Sequence, residues 1–321
     1  MSTPSPRPVP PVPAGEPRPR WSVMIPSHEC GRYLAATLRG VLAQDPGPDV
    51  MQIEVVDDHS MRDDLAAIVH EVGQGRVSYH RQPRNVGHIA NFQTCLERAR
   101  GHYVHLLHGD DLVLPGFYAA LERGLENPDI GAAFCRHRHV DSGEKELYVS
   151  PELRATAGVL DGWLERIAVR QQLQTPSIAV KRSVYEQLGG FHPSLRWVED
   201  WEMWTRISSR HAIWFEPSVL AAYRRHGSSS TARNQLSAED ARDRRRAIAI
   251  ISRHLPADRR ARLGREARRA SAAWCVEVAA ELVAAGQRRA AWRQIAQALL
   301  TSPSPATFVA VARFCLRRLK A

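Results

Sequence analysis

Three pairs of adjacent carboxylates could do chemistry in this sequence, and each sits where an apolar pattern changes. Asp57 and Asp58 end the run "MQIEVVDDHS", Asp110 and Asp111 end "HYVHLLHGDD", and Glu199 and Asp200 open "VEDWEMWTRI". Like charges side by side repel, so each pair needs either full hydration or a partner. A cation or a hydrogen-bonding ligand is such a partner for the first two. For the third, a helix N-terminus stabilises acids without any catalytic purpose.

The elements that must position these acids follow from periodicity. "WSVMIPS" (21–27) reads as a strand and "GRYLAATLRGVLAQ" (31–44) as a helix with Leu34, Leu38, Val41 and Leu42 on one face. Strands at 51–60, 76–82 and 102–108 alternate with helices at 63–72 and 88–100. Such alternation predicts β-α-β units and an α/β fold with a mixed, mainly parallel sheet flanked by helices. Ligands of these sheets bind beyond the carboxyl ends of the strands, where Ser27, Asp57, Asp58, Asp110 and Asp111 fall. After residue 130 the pattern is mixed, with strands at 130–140, 177–183, 213–217 and 219–226 and helices at 159–173 and 198–210. From about residue 235 it is helical, with breaks near Pro256, Gly286 and "SPSP" at 302–305.

Composition bounds the function classes. Residues 232–321 hold 19 Lys/Arg and 7 Asp/Glu, whereas residues 1–231 hold 25 and 27, so the net charge of +10 belongs to the C-terminal segment. No nucleic-acid motif accompanies it, and no nucleic-acid partner is expected. Five scattered cysteines without a C-x-x-C pair suggest neither zinc nor disulfides, and no signal peptide or membrane span is visible. A cytoplasmic or membrane-peripheral protein is expected. G-x-G-x-x-G, G-x-x-x-x-G-K-[ST] and G-x-S-x-G are all absent, which disfavours a dinucleotide enzyme, a P-loop protein and an α/β-hydrolase. Residues 1–20, rich in proline, predict a disordered tail. The expected division is therefore 1–20, 21–231 and a basic helical extension at 232–321.

The acids, in their order, carry a resemblance. "VMIPSHE", "EVVDDHS", "RNVGHIANF", "LLHGDDLVLPG", "GGFHPSLRWVEDWEMWTRI" and "YRRHGSSST" resemble, in sequence, the motifs of the inverting glycosyltransferases of family 2, which have the GT-A fold. The resemblance spans residues 21–231, about two-thirds of the chain. Each motif alone is weak; six in order are specific.

The resemblance implies roles. Ser27 and Asp58 would bind the nucleotide of a UDP-, GDP- or dTDP-sugar, with Asp57 left to the turn. Asp110 would hold a divalent metal, Mn²⁺ or Mg²⁺, against the diphosphate. Asp200 would be the general base that activates an acceptor hydroxyl. His108 stands where the family has the first acid of its D-x-D motif, and an imidazole there favours Mn²⁺. His108, Asp111, His226 and Arg224 are further candidates for metal or diphosphate contact. His28 replaces a tyrosine that stacks on the base. Asn85 and Gly87 would shape a helix entry, and Trp201 and Trp204 would pack, or one of them would wall the acceptor site. Two other readings stay open: a sugar-phosphate nucleotidyltransferase, which would want a glycine-rich loop where "PSHECGRY" stands, and a non-catalytic carbohydrate-binding module on a decayed transferase.

In the extension, Trp274, Val278, Leu282, Trp292, Ile295 and Leu299 predict a helix-pair core. Phe308, Val311, Phe314, Cys315 and Leu319 would give the last helix an apolar face. With Arg313, Arg317, Arg318 and Lys320, that face would suit an anionic membrane surface.

Overall fold

The structure, a computed structural model, describes residues 5–226 and 230–318; for 230–233 and 317–318 it describes the backbone only. The strands are β1 (Trp21–Ser27), β2 (Met51–Asp57), β3 (Ser78–Arg81), β4 (Tyr103–Leu106), β5 (Leu112–Val113), β6 (Ile130–Val140), β7 (Glu146–Val149), β8 (Gly158–Val159), β9 (Ile178–Lys181) and β10 (Ala212–Arg224). The helices are α1 (Gly31–Leu42), α2 (Leu65–Gly73), α3 (His88–Arg98), α4 (Phe117–Leu125), α5 (Trp163–Val169), α6 (Arg182–Leu188), α7 (Glu199–Ser208), α8 (Ser230–Ser237), α9 (Glu239–His254), α10 (Ala257–Ala284), α11 (Arg288–Thr301) and α12 (Pro305–Arg318).

The chain forms two compact units. The first holds residues 1–161, 172–193 and 210–225, and therefore every strand; the second holds 162–171, 194–209 and 226–321 and is helical. Where a boundary near residue 231 is expected, the last change of unit falls after Arg225, and α5 and α7 group with the C-terminal helices.

In the first unit one sheet runs β3-β2-β1-β4-β9-β6-β10-β5, with β7 on β6 and β8 on β10. Its β3-β2-β1-β4 half is parallel, and β10 is parallel to β6; β9 runs antiparallel between β4 and β6. Strand β1 is buried along its whole length, as a central parallel strand covered on both faces must be. Helix α1 lays Leu34, Leu38 and Val41 on the sheet with Ile25, Val55 and Leu121. The two closing strands expected around Pro217 are a single strand, β10. Pro217 cannot donate to the ladder, so the strand bulges between Glu216 and Val219 and then resumes its pairing.

Residues 5–20 are not the free tail their composition predicts. Proline removes amide donors but leaves carbonyls, and these accept bonds from the body of the unit. Arg7 O accepts from Gly190 N (2.8 Å), Pro8 O from Gln93 Nε2 (3.0 Å) and Pro10 O from Arg182 Nη2 (3.0 Å). Val9, between them, is buried.

The second unit is built on α10. Val278 and Leu282 pack with Ala290, Ala291 and Ile295 of α11, and Trp274 lines the same core. Trp292 departs from expectation: it is exposed, touching Phe314 edge-on. Part of the α12 face expected to meet a membrane packs inside the unit, while Phe308 of that face is exposed. Phe314 is buried in this core, and Val311 and Cys315 pack against it. Leu319 and Lys320, and the side chains of Arg317 and Arg318, lie outside the described residues. Among the described residues no helix is long and apolar enough to cross a membrane.

Candidate active site

The ends of β1, β2 and β4 converge because the parallel ladder continues past the strands. Asp58 N donates to Ser27 O (2.8 Å), Leu107 N to Met24 O (3.0 Å) and Gly109 N to Pro26 O (3.2 Å). Asp57 is a turn residue: its carboxylate accepts from Ser60 N (2.9 Å), Ser60 Oγ (2.6 Å) and Tyr79 OH (2.7 Å). Asp58 is also buried, and its two oxygens accept from Val86 N (2.7 Å) and Gly87 N (2.9 Å). It therefore fixes the "R-N-V-G" entry to α3, with Gly87 in a positive-φ conformation that suits glycine. Ser27 is buried beside it, and the exposed His28 ring lies 3.3 Å from Asn85 Nδ2.

Two non-glycine residues at this rim, Glu29 (φ 50°) and His59 (φ 59°), adopt left-handed backbone. Such strain persists where surrounding bonds over-determine it. The Glu29 carboxylate accepts from the amides of Met61, Arg62 and Asp63, and Asp63 accepts from Gly31 N at the start of α1.

Beyond β4, each of His108, Asp110 and Asp111 offers a ligand atom, and these atoms lie within 4.8 Å of one another. Several elements build this group. Gly109 is needed because a Cβ there would lie 2.5 Å from Ser27 Oγ and 2.7 Å from Cys30 Sγ. Thr37 Oγ1, from α1, donates within the loop it supports, to Asp111 O (2.7 Å) or Gly109 O (3.1 Å). The His108 ring stacks on Phe92 (5.3 Å between centroids), which meets Phe191 at the same distance.

Asp111 is buried. Its Oδ1 accepts from Arg224 N (2.8 Å), and its Oδ2 has no hydrogen-bond partner among the described residues. Burial, then the charge of Asp110, push its carboxyl well above the usual carboxylate range. An orphaned buried oxygen, a second carboxylate and an imidazole fit a divalent cation, which would relieve both the repulsion and the desolvation.

The Arg224 guanidinium is occupied. It donates to Asp110 O (2.9 Å) and Glu144 Oε1 (3.0 Å) and lies 4.6 Å from the centre of the Tyr33 ring. It braces the acidic loop rather than standing free for a diphosphate. His226 does not belong to the His108, Asp110 and Asp111 group among the described residues.

In the helical unit, Asp200 stands in the first turn of α7. Gln171 Nε2 donates to its Oδ2 (2.7 Å), a contact that sequence alone gave no signal for. Burial, then the neighbouring Glu199, raise its carboxyl to about 7; Gln171 and Arg244 oppose that rise. Glu202 is spent structurally, bound to Arg206 Nε (2.9 Å) and His254 Nε2 (3.1 Å). Trp201 and Trp204 are fully buried and pack within the helical unit.

Known proteins resemble this chain in sequence and in fold. The family model "Glycosyl transferase family 2" matches residues 22–193, more than half of the chain; it includes Ser27, Asp58 and Asp110 and stops before Asp200. An uncharacterized protein of Mycobacterium tuberculosis is 28% identical over 251 residues, 72% of this chain and 75% of its own. An uncharacterized glycosyltransferase of Rickettsia typhi is 24% identical over 229 residues, 70% of each. The structure of S. aureus TarS 1–349 in complex with UDP-GlcNAc superposes with a TM-score of 0.65 at 17% identity, covering 92% of this chain and 88% of that one. The mannosyltransferase PcManGT of Pyrobaculum calidifontis, in complex with GDP-Man and Mn²⁺, gives a TM-score of 0.60 at 18% identity, covering 98% and 84%. By sequence and by fold, the chain belongs to glycosyl transferase family 2 and is a GT-A glycosyltransferase.

Proposed function

We propose that this transferase moves one sugar from a nucleoside-diphosphate-sugar to an acceptor hydroxyl, with a divalent cation and with inversion at the anomeric carbon. The observation that carries the reading is the His108, Asp110 and Asp111 group at the carboxyl edge of the sheet. The solved relatives support a nucleotide-sugar donor: one is bound to UDP-GlcNAc and one to GDP-Man with Mn²⁺.

Asp110 and His108 would hold the cation, with Asp111 Oδ2 as the buried third donor. A bound divalent cation supplies positive charge against the leaving diphosphate. Ser27 and Asp58 would contact the nucleoside; Asp58, already tied to two amides, keeps further lone pairs for a base or ribose donor. Asp200 would accept the proton of the acceptor hydroxyl. The acceptor oxygen then forms its bond to the anomeric carbon as the carbon–phosphate oxygen bond breaks on the opposite face. The nucleoside diphosphate carries away that bond's electron pair. A carboxyl held near 7 is suited to this exchange at neutral pH.

The test is release of free nucleoside diphosphate from UDP-, GDP- and dTDP-sugars with Mn²⁺. Slow donor hydrolysis without acceptor is expected for one nucleotide class. Silence across the panel, with no donor binding by calorimetry, would favour a non-catalytic module. Asp110→Ala should keep the circular dichroism spectrum and lose the metal-dependent tightening of nucleoside diphosphate binding. Unchanged tightening would remove Asp110 from the site.

A further inference from the structure

Arg244 of α9 is buried within the helical unit, and three indoles hold it. Its guanidinium carbon lies 4.0 Å from the Trp274 ring centre, 5.0 Å from that of Trp197 and 5.8 Å from that of Trp201. Trp197 and Trp274 are themselves in contact, with centroids 5.3 Å apart. Ring faces attract the charge, but they leave the N–H donors, which lie in the guanidinium plane, without acceptors.

The other buried arginines solve this problem. Arg182 Nε donates to Ala99 O, Arg206 Nε to Glu202 and Arg224 Nε to Asp110 O. Arg244 Nε has no partner among the described residues. The carboxylates within reach on its own helix are committed elsewhere. Asp240, one turn earlier, accepts from Gln294 Nε2 (2.9 Å). Asp243 accepts from the amides of Arg196 and Trp197 (2.8 Å each) and of Val198 (3.3 Å). A buried guanidinium whose Nε lacks an acceptor is costly; Asp240 acts on it through charge and not through a hydrogen bond, which leaves its donors for another acceptor.

Burial lowers the Arg244 pKa to about 10; Cys275, Asp240 and Asp200 oppose that fall, and the exposed Arg170 adds to it. Arg170 precedes Gln171, the residue bonded to Asp200. Trp201, whose ring centre lies 5.8 Å from the Arg244 guanidinium carbon, directly follows Asp200 in α7, so the cation and the candidate base stand close together, beside the half-buried rings of Trp197 and Trp274.

We propose that Arg244 is an acceptor-recognition residue, and that the acceptor is a polyol or sugar carrying an oxyanion, a phosphate or a carboxylate, close to the hydroxyl that receives the sugar. The planar fork of arginine suits two oxygens of either group, and indole faces suit the C–H faces of a sugar or polyol. This deepens the proposed transfer reaction and rests on Asp200 as its base.

The experiment uses the full chain without donor, so it does not depend on turnover. sn-Glycerol 3-phosphate, glucuronate and glucose are titrated, read by tryptophan fluorescence and calorimetry. Saturable binding of an oxyanion probe, with none of glucose, is expected; the tighter of the two probes identifies the oxyanion. Arg244→Gln should weaken that binding at least roughly tenfold, and Arg244→Lys, which keeps the charge but loses the fork, by less. Equal affinity in wild type and Arg244→Gln would overturn the proposal, as would absence of saturation by both oxyanions. If circular dichroism shows Arg244→Gln unfolded, Arg244→Lys decides: unchanged affinity overturns the proposal and weakened affinity supports it. Asp200→Asn should still bind the probe. If it also transfers sugar at the wild-type rate, the assigned base fails while the anion site stands.

Discussion

Asp200 illustrates how one residue's surroundings set its chemistry. Its burial and then its neighbour Glu199 hold the carboxyl at about 7, so at neutral pH the proposed base is only partly ionised. Transfer should therefore rise with pH through an apparent pKa near 7, because only the deprotonated form accepts the hydroxyl proton. Glu199→Gln removes one of the charges that raise it, so the acid limb of the pH–rate profile should move to lower pH. Asp200→Asn should reduce transfer by roughly 10²–10⁴-fold with donor affinity little changed, the usual scale for a positioned base. Rates across pH with saturating donor check both. A profile that ignores Glu199→Gln would show that another group titrates. The sequence singled out this acid through the motif around it. Gln171, which steadies it, was not singled out, because it comes from another segment with no pattern of its own.

At the scale of elements, the loop from 108 to 111 is shaped by what lies beneath it. Thr37 reads in the sequence as an ordinary helix residue, yet its hydroxyl is shared between the carbonyls of Gly109 and Asp111. Thr37→Val removes that donor and should cost about 1–2 kcal/mol in urea unfolding. It should also weaken Mn²⁺-dependent nucleotide binding, which calorimetry reads. Gly109→Ala should be more severe, at about 1–3 kcal/mol, since the added methyl must displace Ser27 or Cys30 in a packed interior. The strand ends could be read in advance because long apolar runs stop at carboxylates there, and parallel sheets gather such ends on one edge. The unbroken β10 could not, since proline in a strand signals a break unless a bulge absorbs it. The buried face of α12 was visible as an apolar stripe, but periodicity does not say whether a stripe meets protein or lipid.

On the scale of the whole molecule, the chain separates a sheet unit with the acidic loops from a helical unit that carries much of the positive charge. The arm of residues 5–13 adds a different property to the sheet unit. Its carbonyls grip Gly190, Gln93 and Arg182, and Gly190 adjoins Phe191, the ring that backs the Phe92 and His108 stack. A variant lacking residues 1–12 should lose about 2–4 kcal/mol: near 1 kcal/mol for each of three bonds plus the burial of Val9, less the entropy recovered when the arm need not be ordered. The loss is expected mainly as faster unfolding, measured by stopped-flow with urea jumps; slower refolding instead would place the arm in the folding nucleus. The span of these contacts has a further consequence for biosynthesis. Arg182 lies 172 residues after Pro10, so at ribosomal speeds roughly ten to thirty seconds separate the making of the arm from the making of its anchor. The arm is therefore made well before the residues that anchor it, a clasp that cannot be fastened until the chain has passed Gly190.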